Sequence, residues 1–272
     1  MPAPPRLFDR ALHRIRLDRA ARDYANADFL QRRAAEDVAE RLAPIMRDFP
    51  VAVDLSARTG AFREALERGD AKDRVGFLVE ADLSHRMLQG RAGARVVLDE
   101  ERLPFSDARL DLIVSTLGLH WTNDVVGALI QARRALKPDG LFIGAFLGGV
   151  TLTELRQSLV AAESEILGGA GSRVSPFADT ADAAGLLQRA GFSMPVADVD
   201  TVTVTYDHPL KLLFDLRQMG ETSVLADRHP KKLTRPLMTR AFEIYFERFR
   251  DEDGRIPATF EIITLTGWAP AH

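Results

Sequence analysis

The chain has 272 residues, no cysteine, and 36 lysines plus arginines against 39 aspartates plus glutamates, a formal charge of -3. That balance excludes a nucleic-acid binder working through a large basic excess, and the missing thiols exclude disulfides, thiolate zinc, a catalytic cysteine and cysteine-held iron–sulfur clusters. With 46% hydrophobic and 28% charged residues the chain is expected to bury a sizeable core in a reducing compartment, the cytoplasm; no run approaches the ~20 apolar residues of a membrane span.

Residues 1–22 are rich in arginine but contain Asp9 and Asp18 and lack a continuous apolar stretch, so they are expected to belong to the mature protein rather than to a targeting segment. Phe8, Leu12 and Ile15 keep helical spacing, with Arg6, Arg10 and Arg14 on a second stripe expected to be solvated. Leu30, Ala34, Val38, Leu42 and Ile45 predict a second helix that ends near Pro50. Apolar runs at 51–55, 75–79, 95–98, 110–115 and 141–146 then predict five buried strands, separated in places by helices through Phe62, Ala65 and Leu66 and through Val125, Leu129, Ala132 and Leu136. Lys137-Pro138-Asp139-Gly140 should stop the latter helix.

After Gly149 the pattern predicts helices over about 152–167 and 180–190, a strand through Val202, Val204 and Tyr206, a helix with Met238, Phe242, Tyr245 and Phe249 on its apolar stripe, and a closing strand over 259–268. No repeat or linker divides the chain. One α/β domain over 1–272 is expected, with N-terminal helices to residue 50, a ligand-binding core over 51–149, and helical additions with closing strands over 150–272.

In such a parallel sheet the ligand binds beyond the carboxyl ends of the strands, where strand order reverses, so the first strand-to-helix loop is where chemistry is expected. That loop runs Asp54-Leu55-Ser56-Ala57-Arg58-Thr59-Gly60. Asp82 ends the second strand 22 residues past Gly60, where a carboxylate can accept both hydroxyls of a ribose, and Asp99 follows the third strand, where one can take the amino group of an adenine. Each acid alone is as readily a helix cap or loop residue; three at successive strand ends point to a nucleoside site.

Val53-Asp54-Leu55 through Gly60, Glu80-Ala81-Asp82-Leu83-Ser84, Leu103-Pro104-Phe105-Ser106-Asp107, 110–115 and Leu136-Lys137-Pro138-Asp139-Gly140 resemble, in order and spacing, the motifs of class I S-adenosylmethionine (SAM) methyltransferases. Phe8-Asp9-Arg10, Leu119-His120-Trp121, Val174-Ser175-Pro176-Phe177, Met219-Gly220-Glu221 and the segment 253–259 resemble one branch, the mitochondrial complex I assembly factor 5 family and its bacterial relatives. The likeness to malonyl carrier-protein O-methyltransferases is looser. The resemblance implies a Rossmann-like, seven-stranded, mostly parallel sheet and SAM as cofactor. Asp54, Ser56, Arg58 and Gly60 would border its methionine part, Asp82 and Leu83 the ribose, Asp99 and Glu100 the adenine, with Ser115 alongside.

Two loop positions depart from that pattern, because Ser56 and Arg58 stand where the family has glycine. Keeping a glycine-only conformation there would cost ~1–3 kcal/mol each, against ~8 kcal/mol for a micromolar ligand. Three outcomes are open: Arg58 pairs the cofactor carboxylate on a changed loop path, Arg58 fills the pocket, or Arg58 points to solvent. His120 is a candidate base or orienter, or a structural histidine; Trp121 is pocket wall or core; Arg173 and Glu221 would meet a substrate or serve as loop residues. Among histidines 13, 85, 120, 208, 229 and 272 no metal-ligand spacing is apparent, so no metal is expected. The family implies three readings: methyl transfer to a small carboxylate or protein side chain, assembly of respiratory complex I as arginine hydroxylase or chaperone, or a non-catalytic binding module.

Overall fold

The computed structural model describes residues 6–177, 182–227 and 233–271. Helices α1 (Arg10–Ala20) and α2 (Phe29–Leu42) precede β1 (Phe49–Leu55), α3 (Ala61–Arg68), β2 (Val75–Asp82), β3 (Ala94–Val97), β4 (Leu110–Thr116), α4 (Val125–Ala135) and β5 (Leu136–Leu147). Then come α5 (Thr153–Leu167), α6 (Ala183–Arg189), β6 (Ser193–Tyr206), α7 (Pro209–Gln218), α8 (Arg235–Phe249) and β7 (Ile256–Trp268). The seven strands form one sheet in the order β3-β2-β1-β4-β5-β7-β6. The pairs among β1 to β5 are parallel, and β7 runs antiparallel to both β5 and β6. Strand order reverses between β1 and β4, which puts the binding crevice at their carboxyl ends.

The period of two explains the layers. Ala52, Leu112, Val114, Leu141 and Ile143 turn to one face, where α2, α3, α5 and α8 add Val38, Phe62, Leu159 and Tyr245. Val53, Ile113 and Phe142 turn to the other, against Leu129 of α4 and Leu187 of α6. Asp124 caps α4 by accepting the Gly127 N–H at 2.7 Å. The helix stops at Ala135, and Lys137 to Gly140 lies within β5, bent at Asp139, whose φ of 60° is left-handed.

Three expectations change. Phe8 lies outside α1, because Asp9 is the cap, accepting the Leu12 N–H at 2.9 Å. The buried face of α1 is therefore His13, Leu17 and Ala20, and Ile15 is 42% exposed. The basic stripe is not uniformly solvated either, since Arg10 turns inward to two carboxylates. The start of the helix expected from residue 180, and His229 and His272, lie outside the described residues.

Candidate functional site at the carboxyl edge of the sheet

The loop after β1 follows a glycine-like path without the glycines. Ser56 (φ 62°), Arg58 (φ 49°) and Gly60 (φ 85°) are all left-handed, a region that strains residues with a Cβ. The strain is held by the surroundings: Gln31 Nε2 donates to the Ser56 carbonyl (3.2 Å) and to Thr116 Oγ1 (2.6 Å), and the Arg58 N–H donates to Asp82 Oδ2 (3.0 Å). Gly60 sits at a φ that favours glycine, with the Arg91 guanidinium packed beside it.

With that path the two side chains point inward. Arg58 is 1% exposed; its Nη1 donates to Asp82 Oδ2 at 2.8 Å and its Nη2 to the Leu117 carbonyl at 3.4 Å. Burial opposes the guanidinium charge, but Asp82, Tyr24, Glu100 and Glu221 together outweigh it and raise the pKa above the usual arginine value. Asp82 Oδ1 accepts the Ser84 N–H at 2.8 Å, so both oxygens of the expected ribose ligand are engaged. Arg58 thus does not point to solvent: its side chain lies buried against Asp82.

A second arginine closes the adenine side. Arg10 reaches 89 residues along the chain to donate from Nη2 to Asp99 Oδ1 at 2.7 Å, pairs with Glu100, and donates from Nη1 to the Trp121 carbonyl at 3.2 Å. Burial opposes its charge too, and Glu100 and Asp99 together raise its pKa. Ser56 Oγ donates to the remaining Glu100 oxygen at 2.6 Å. Between the two arginines sits His13, buried, with Nδ1 3.4 Å from Arg10 Nη1 and Nε2 without a partner. Its pKa is lowered well below the usual value, first by burial and then by Arg58 and Arg10.

Asp54 is fully buried with both oxygens unpartnered, and its pKa is raised by burial and by the carboxylates of Glu80 and Asp82. Glu80, opposite it on β2, is held by Arg91 at 2.9 Å and Arg63 at 3.3 Å. Leu83 packs with Leu17, Tyr24 and Met87, and Ser115 is buried with an unpartnered Oγ. One adenosine-shaped hollow shared by Asp54, Asp82 and Asp99 was expected. Instead Asp99 borders an outer cavity with Phe8, Arg10 and Asn123, while Asp54 and Asp82 are wholly buried. The two arginines take up the space between.

An open cavity of about 420 Å³ lies next to this closed region, walled by Trp121, Leu155, Leu159, Arg173, Phe177 and Glu221. Glu221 Oε2 faces His120 Nε2 at 3.0 Å and accepts the Trp121 Nε1–H at 2.9 Å. His120 Nδ1 receives the Leu147 N–H at 3.5 Å, which leaves the ring proton on Nε2, directed at Glu221. Arg173 is paired with buried Glu163 at 2.6 Å. The structure thus brings Trp121, Arg173 and Glu221 to one cavity, with His120 behind its wall. His13 and Gln31 are site residues that the sequence did not mark; Arg10 was marked only as one of three stripe arginines expected to be solvated and by its place in the Phe8-Asp9-Arg10 segment. Among the described residues no three histidine, aspartate or glutamate side chains gather as a metal-binding set.

Fold, strand-end acids and cavity define a class I SAM-dependent methyltransferase architecture, and residues 53–144 match a methyltransferase domain family. Solved structures agree on the fold: YcgJ of Bacillus subtilis superposes with a TM-score of 0.59 at 14% identity, covering 88% of this chain and 98% of that one. A protein of Bacillus halodurans gives 0.56 at 16%, covering 86% and 98%. The arginine-hydroxylase NDUFAF5, mitochondrial, of Mus musculus is 39% identical over 98% of this chain and 78% of its own length, and that of Danio rerio 40% over 97% and 83%. A malonyl-[acyl-carrier protein] O-methyltransferase of Methylovorus is 33% identical over 99% and 92%. Within the methyltransferase superfamily, the chain belongs to the family of these NDUFAF5 proteins.

Proposed function

We propose that the chain is a maturation factor for respiratory complex I that takes a side chain of a protein subunit into the cavity beside Trp121 and Glu221. The observation that carries this reading is the contrast within the site: the acceptor cavity is formed and open, while Asp82 and Asp99, the expected nucleoside ligands, already have partners in the chain. Family membership supplies the complex I setting, and relatives named as arginine hydroxylases make a guanidinium a natural occupant for the Glu221 carboxylate.

Glu221 is oriented rather than free to swing, because His120 and Trp121 both bind its Oε2. Its other oxygen is the one an incoming donor would meet. Arg217 along the cavity favours an acceptor flanked by an acidic group. The apolar walls strip water from whatever group enters, strengthening its bond to Glu221.

SAM is the cofactor the family implies, and the residues do not fit it in this state: its ribose and adenine ligands are occupied, and only Asp54 is left unpaired. No step is therefore routed through SAM. We place the chain in the cytoplasm on its lack of cysteine; cell fractionation tests that placement.

Affinity capture with wild type and Glu221→Gln tests the function. Recovery of complex I subunits that falls with Glu221→Gln supports the reading. Recovery of acyl carrier protein instead turns the assignment to the small-carboxylate alternative, and recovery of neither refutes it.

A further inference from the structure

We infer that the chain supplies its own occupant for the adenosine half of the site, Arg58 on the ribose carboxylate and Arg10 on the adenine carboxylates, so that the resting protein binds neither SAM nor S-adenosylhomocysteine. The inference concerns the closed half of the site and stands apart from the acceptor reading. It rests on the backbone first. A glycine loop leaves a hydrogen where an L-residue has its Cβ, and that empty volume lets a ligand approach the backbone. Here the left-handed path is kept at positions 56 and 58, but both positions carry side chains, and these project into the volume the path would leave open.

The occupants then copy the contacts a nucleoside would make. Arg58 delivers two donors to Asp82 Oδ2, one from its backbone and one from its guanidinium, where a ribose would bring two hydroxyls. Arg10 gives Asp99 the donors that an adenine amino group would give. Ser56 Oγ and Arg10 divide Glu100 between them. The closure is tied into the fold at both ends. The far edge of the Arg58 guanidinium is bound to Leu117 after β4, and Arg10 carries α1 to the Trp121 carbonyl.

Charge points the same way. The charges of Asp82, Asp99 and Glu100 are already taken up by Arg58 and Arg10, so an incoming SAM would have to break these buried pairs. Asp54 is the one acid in the group with no ion pair or hydrogen bond, and it lies at the methionine end. It therefore gives a nucleoside no foothold.

Isothermal titration calorimetry of the full chain with S-adenosylhomocysteine and with SAM tests the inference. Wild type should give no binding heat up to about 1 mM, and the Ser56→Gly/Arg58→Gly variant, which restores both glycines, should bind S-adenosylhomocysteine at least tenfold more tightly than that limit. Wild-type binding below about 100 μM would overturn the inference. So would a double variant with Arg10→Ala added to clear the adenine side that keeps the wild-type circular dichroism spectrum and still fails to bind. Should the double variant not fold, Arg58→Ala in the same titration decides. Capture of complex I subunits is read independently, so loss of one reading leaves the other standing.

Discussion

Replacing Asp82 by asparagine tests whether Arg58 is locked onto it. Both side chains are essentially inaccessible, 1% and 0% exposed, so the substitution leaves a buried guanidinium facing a neutral amide with no water to replace the lost charge. Breaking one side of such a pair costs ~3–5 kcal/mol. At ~2–4 °C per kcal/mol for a chain of this size, the melting temperature should fall by ~6–20 °C. The Ser56→Gly/Arg58→Gly variant also breaks the pair, yet it should be harmed less. Asp82 keeps two backbone donors, residue 58 and Ser84, and release of two left-handed L-residues offsets ~1–3 kcal/mol each. Thermal unfolding followed by circular dichroism gives both values. The ordering is the decisive result: if the double glycine variant is as unstable as Asp82→Asn, or more so, the left-handed loop is not strained and the ion pair is not what holds Arg58.

Asp54→Asn should stabilise the protein at neutral pH. A carboxyl whose folded pKa is raised keeps its proton longer than the unfolded chain does, so wild-type stability falls as pH climbs from about 4 toward the raised folded value; the variant should lack that decline. His13 works in the opposite window. Its depressed folded pKa means the unfolded chain takes up a proton first as pH drops below about 6.5, so stability is lost on acidification, and His13→Gln should flatten the slope there. Unfolding midpoints between pH 4 and 8 read both, and unchanged slopes would count against either burial. Asp124→Ala removes the cap on α4 and should cost ~1 kcal/mol in urea unfolding without altering the capture of acceptor proteins.

The central strands were legible because each is an apolar run in a sheet covered on both faces, and the acids at their ends followed from the place where such sheets bind ligands; β3, expected to be buried, is instead an edge strand with Val97 48% exposed. Arg10 was not legible. Nothing in a stripe of three arginines says which one turns inward, since its partners lie 89 and 90 residues away and meet it only when β3 and α1 pack. Ile15 was misplaced for a local reason: counting helical turns from Phe8 assumes a helix that in fact starts after the Asp9 cap, and the true face runs through His13 and Leu17. For Arg58 the residue was conspicuous but its direction was open, because direction depends on φ at 56 and 58, and that is held by Gln31, Glu100 and Asp82 from three other segments. The cavity beside Trp121 and Glu221 is assembled from α5, α7, the loop at 172–177 and Glu221, a gathering that no single window of sequence contains.

The same geometry explains why the strand-end acids can persist beside a loop without its glycines. Asp54 and Glu80 are register partners on β1 and β2, and Asp82 lies two residues beyond Glu80, so three carboxylates share one buried face. Such a cluster needs positive charge or donors from somewhere. Glu80 takes them from Arg63 and Arg91 on the chain itself. In a glycine loop the ligand would meet the rest; in this loop Arg58 meets Asp82, and Arg10 meets the neighbouring pair at Asp99 and Glu100. Replacing the loop residues and retaining the acids are therefore one change seen from two sides: the cation and donors that a cofactor would bring have been built into the chain, and Asp54, the acid no arginine reaches, carries the raised pKa that shows where the compensation stops.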